Sequence, residues 1–116
     1  MLLSILYLII PNPGNIYRKI VSHSFFGNQN IETEFIDQSL ISIRLSGVIN
    51  CEGTAKYTLI DDIIDIELSD NLKSLMKKTN TKFILKNYDD KNDIINIDLY
   101  IKSIVYRKNI KLRRVN

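Results

Sequence analysis

The strongest constraint on this chain is a period-two alternation of apolar and polar side chains. It is cleanest near the end, where Ile95, Ile97, Leu99 and Ile101 alternate with Asn96, Asp98, Tyr100 and Lys102. Ala55, Tyr57 and Leu59 alternate with Lys56 and Thr58, and Ile64, Ile66 and Leu68 with Asp65 and Glu67. Ile41, Ile43 and Leu45 oppose Ser42 and Arg44, and Ile31, Thr33 and Phe35 oppose Glu32 and Glu34. Successive side chains of a strand point to opposite faces, so each run buries one face and wets the other. Composition agrees: 21 Ile and a single Ala favour a pleated, half-buried surface over helix.

Turn chemistry separates these runs. Pro11-Asn12-Pro13-Gly14-Asn15 precedes a β-rich run over 16–26, which carries Arg18 and Lys19, and Gly27-Asn28-Gln29-Asn30 reads as a loop. Strands are expected over 31–36 and 40–45, then a less regular stretch over 46–53. The acidic pair Asp61-Asp62 divides a hairpin, and Asp89-Asp90-Lys91-Asn92-Asp93 divides another, between strands over 81–88 and 94–101. Residues 103–106 and 110–115 finish the chain as one broken strand or two short ones. A single helix is expected near 70–79, capped by Ser69 or Asp70. Leu72, Leu75 and Met76 lie on one face, and Lys77 and Lys78 sit in the last turn. The expected fold is mainly β: a small antiparallel barrel or sandwich of about eight short strands with one short helix, in a single β-rich domain over 1–116.

Cys51 is the only cysteine and no N-x-S/T acceptor is present, which points to a reducing, intracellular compartment. The apolar opening, MLLSILYLII, has no basic residue ahead of it and no small-residue cleavage pattern behind it. It is about half the length a membrane-spanning helix needs, so it reads as an opening strand over 3–9 and no membrane span is expected. The abundance of Ile, Asn and Lys and the scarcity of Ala, Gly, Pro and Trp suit an AT-rich genome, such as that of a large DNA virus, a phage of an AT-rich host, an AT-rich bacterium or protist, or an organelle.

Motifs for catalysis or cofactors are missing. Cys51 and His23 are the only cysteine and histidine; they sit on different segments without a local motif, and one of each cannot make a zinc site. The 89–93 turn fails as a calcium loop because Lys91 occupies its third position and Ile94 the position of its glycine. No phosphate-cradling glycine motif and no nucleophile elbow occurs. Neither an enzyme nor a cofactor is expected.

Charge is distributed unevenly. Residues 52–70 hold six acids and one lysine, and Asp61, Asp65 and Glu67 share a strand face as a candidate acidic surface. Residues 99–116 hold six bases (Lys102, Arg107, Lys108, Lys111, Arg113 and Arg114) and no acid. The basic set is a candidate patch for an anionic partner, either nucleic acid or an acidic protein surface. The function expected is that of a non-catalytic binding or assembly module, with another protein or a second copy as its partner. The alternatives are a β-barrel for a small hydrophobic ligand and a nucleic-acid-binding β domain working through its basic C-terminal strand.

Overall fold

A computed structural model describes residues 10–23, 25, 27–60, 63–102 and 104–116; the expected strand over 3–9 and the Asp61-Asp62 break lie outside them. Among the described residues eight strands and one helix follow in the order β1 (Ile16–His23), β2 (Gly27–Phe35), β3 (Leu40–Gly47), β4 (Cys51–Ile60), β5 (Ile63–Leu68), α1 (Asp70–Lys78), β6 (Thr81–Asp89), β7 (Ile94–Ile101) and β8 (Ile104–Arg114). The strands form one sheet in the order β5-β4-β3-β2-β1-β8-β7-β6, antiparallel at every join. The sheet therefore curls into a nearly closed barrel. The first and last strands meet at β1–β8, and the unpaired seam falls between β5 and β6, which α1 connects.

Alternation fills the interior. Ile31, Phe35, Ile41, Ile43, Leu45, Ile95, Ile97, Leu99 and Leu112 are all at most 1% exposed and face a common core. Four rings line one end of it. Tyr17 meets Tyr88 and Phe35 edge-on, with centroids 6.2 and 5.8 Å apart, and Phe35 meets Tyr57 at 5.5 Å. The helix forms where the capping signal put it: the Ser69 hydroxyl accepts from the Leu72 amide at 3.3 Å. Its apolar stripe, Leu72 and Met76, packs into the core. Gly53 makes this possible. It occupies a core-facing position opposite Ile43, and a Cβ there would lie 2.7 Å from the Leu72 Cβ.

Outside, the register is marked by charge. Arg18, Glu32, Arg44 and Glu52 stand directly opposite one another across β1 to β4. Ion pairs join them in turn, at 2.7, 3.4 and 2.9 Å. A one-residue slip would move every member to the other face.

One expectation is corrected and two are sharpened. Residues 27–30 are not a loop but the start of β2, paired with β1 as far as His23 with Gly27. Gln29 faces inward there and is fully buried; its carboxamide accepts the Ile49 amide at 2.9 Å and donates to the Ile49 carbonyl at 3.2 Å. Those bonds hold the 48–50 turn, so a polar side chain serves a core position. The less regular stretch over 46–53 resolves into the last residues of β3, that turn and the first residues of β4. The C-terminal run is one strand, β8, irregular in its pairing with β7.

Candidate anion-binding cleft

The join between β1 and β8 is incomplete. The strands pair only at Tyr17 with Arg114 and Arg18 with Arg113. Beyond that point β1 continues to His23 on β2, and β8 runs back to Ile104 on β7, so the two part as a wedge. The closed end is pinned by the β6–β7 turn. The Tyr17 hydroxyl donates to Oδ1 of Asp93, and the Arg114 Nε lies 3.2 Å from its Oδ2. The Tyr88 hydroxyl also donates to Oδ1, at 2.8 Å. The Tyr17 bond above all, then Tyr88 and the Arg114 charge, hold the Asp93 carboxyl below the usual carboxylate range against its partial desolvation.

The open end is a cleft of about 300 Å³. Buried Val21 and Ile110 form part of its lining, and Lys19, Arg107, Lys108, Lys111 and Arg113 surround it with Asn109. Among the described residues that line it there is no carboxylate. Among the described residues, the ion pairs within 4 Å take up Arg18, Arg44, Lys86 and Arg114, and none of these five cations. Lys111 adds a minor field at Asp89, whose carboxyl is lowered chiefly by its bond from the Asn92 side chain.

Two of the five stand where the core should be. Opposed residues of neighbouring antiparallel strands share a face. Lys19 is opposite Ile31 and lies between Tyr17 and Val21, all three at most 1% exposed, yet Lys19 itself is exposed. Arg107 is opposite fully buried Leu99 and is likewise exposed. A cation is tolerated at a core register only where water or a counter-charge reaches it. Here the parting of β1 and β8 leaves both side chains open to solvent.

A bulge aims the cations of β8. Ile97 pairs with Ile110 and Leu99 with Arg107, so β8 spends one residue more than β7 between these pairs. Asn109 takes up the excess in the left-handed region, φ 56°. Its amide donates to Oδ1 of Asp98 at 2.8 Å, and its own Oδ1 accepts from Lys86 Nζ at 2.7 Å. Asp98, expected to face outward with Asn96 and Lys102, is instead only 9% exposed because it serves this bulge.

The expected basic patch is therefore divided. Arg107, Lys108, Lys111 and Arg113 line the cleft. Arg114 is drawn to Asp93, and exposed Lys102 sits at the β7–β8 turn with φ 55°, its amide donating to the Asn80 carbonyl. Lys19 completes the cleft and was missing from the sequence-based patch. Its signal was a lysine at a core position of the alternating run, legible only once Tyr17 and Val21 are known to face inward. On the acidic face, Asp65 and Glu67 are exposed on β5, and Asp61 lies outside the described residues. A groove of about 230 Å³ beside them mixes Glu67 and Asp70 with Lys56 and so presents no single sign.

Cys51 is buried on β4, where desolvation pushes its thiol up and keeps it protonated. β2 and β3 separate its strand from that of His23. Among the described residues no three His, Cys, Asp or Glu side chains gather as a metal set, and no helix is long and apolar enough to cross a membrane. No family model, curated protein or solved structure matches the chain.

Proposed function

We propose that the protein is a non-catalytic binding module whose partner is anionic and is held in the β1–β8 cleft. The observation that carries this reading is the placing of Lys19 and Arg107, two exposed cations at core registers on opposite banks of the wedge. An anion between them would supply the counter-charge that the cleft lining lacks. The barrel interior is lined almost wholly by apolar side chains, so an anionic partner finds its counter-charge at this cleft and not in the core.

The test is a comparison of two charge reversals of equal size. Lys19→Glu with Arg107→Glu alters the cleft, and Lys82→Glu with Lys91→Glu alters exposed sites elsewhere. On a heparin column, the cleft variant is expected to elute at distinctly lower salt than the control variant. Elution of the two together would place the anion affinity in net charge alone and refute the cleft.

A further inference from the structure

We propose that the occupant of the cleft is single-stranded nucleic acid, its phosphodiester chain running along β8 from Arg107 to Arg113; this rests on the anionic-partner reading above. The shape of the charge favours a linear polyanion. From Arg107 to Arg113 is about 20 Å at the ordinary rise of a strand, so the cations form a file and not a compact nest. Lys111 and Arg113, two residues apart on one face, repeat at about 6.6 Å. That interval is close to the phosphate spacing of an extended single strand. Guanidinium groups at both ends of the file, Arg107 and Arg113, offer planar forks that match phosphate oxygens two at a time.

Two competing occupants fit less well. An acidic peptide added as a strand needs a parallel-sided slot, about 4.8 Å from each neighbour along its length. β1 and β8 are still paired at Arg18 and Arg113, at the edge of the cleft, so the gap is a wedge closed at one end. A duplex is read by a convex element entering its groove, and this site is concave. A basic concavity that follows one backbone is the arrangement of single-strand binders. Ile20, 57% exposed on the outer face of β1 next to Lys19, gives a base turned away from the phosphates an apolar surface to cover.

The experiment is fluorescence anisotropy on the full chain with labelled oligothymidylate, oligouridylate, a duplex of the same length and an oligoglutamate peptide. One of the single strands is expected to bind at least about tenfold more tightly than the duplex or the peptide. Its log K should fall with log salt at a slope of about −3, four or five phosphates being engaged at roughly −0.7 each. Lys19→Gln with Arg107→Gln, which leaves the buried core untouched, should weaken binding at least about tenfold and flatten the slope by about 1.4. Tighter or equal binding of duplex or oligoglutamate would overturn the single-strand inference and leave the anionic-partner reading standing. Unchanged binding by the double variant would overturn the placement in the cleft. If none of the four probes bound, both readings would fall together.

Discussion

Single side chains decide how this barrel closes at each end. Gly53 lets α1 lie against the inner face of β4, and the side chain of alanine would press on the Leu72 Cβ, which cannot rotate away. Gly53→Ala is therefore expected to cost about 1–3 kcal/mol, read by urea unfolding. A variant as stable as the parent would mean that the helix does not seat there. Asp93 acts at the other end, joining the β6–β7 turn to Tyr17 on β1 and Arg114 on β8. Its carboxyl titrates below the ordinary aspartate value of about 3.9. A carboxyl depressed by folding stabilises the native state above its unfolded pKa, and that contribution is lost as pH falls through the folded one. Asp93→Asn should thus lower Tm at neutral pH, and the gap from the parent should close as pH falls through the depressed value of the folded carboxyl. A gap that persists in acid would show that the charge of Asp93 contributes nothing.

Among the elements, the bulge of β8 is the one that bears on the proposed cleft. Asp98 lies on β7 and away from the cleft lining, but its carboxylate holds the Asn109 amide and so fixes the offset that carries Arg107 and Lys108. Asp98→Ala is expected to lower oligonucleotide affinity about three- to tenfold with the salt slope nearly intact, since the cations remain but lose their alignment. Loss of slope in proportion to affinity would instead show that cations had left the site. The elements were largely legible in the sequence because alternation fixes both the strands and their inward faces. The Ser69 cap and the spacing of Leu72 and Met76 fixed the helix. The 27–30 segment was not legible: Gly-Asn-Gln-Asn is turn chemistry by composition, and only the distant Ile49 backbone gives Gln29 a reason to be buried in a strand.

At the scale of the whole molecule, the informative feature is where the barrel fails to close. An eight-stranded meander has two natural openings, and here α1 spans one, between β5 and β6, while β1 and β8 leave the other as a wedge. Local pattern says nothing about which strands meet across a chain, so the run of bases after residue 99 was visible but its division was not. Four of those six bases line the cleft, one is neutralised at Asp93 and one lies at a turn, and Lys19 joins from the far end of the sequence. The wedge thus turns a sequence-level charge bias into a site with an inside and an outside.

The most direct test of the cleft is an amide NMR titration of the assigned protein with oligothymidylate at low salt. Binding in the cleft predicts that the largest shifts fall on residues 19–22 of β1 and 107–113 of β8, on both banks of the wedge, with β5 and α1 little changed. Shifts spread evenly over exposed lysines, or concentrated on α1 and β6, would contradict it.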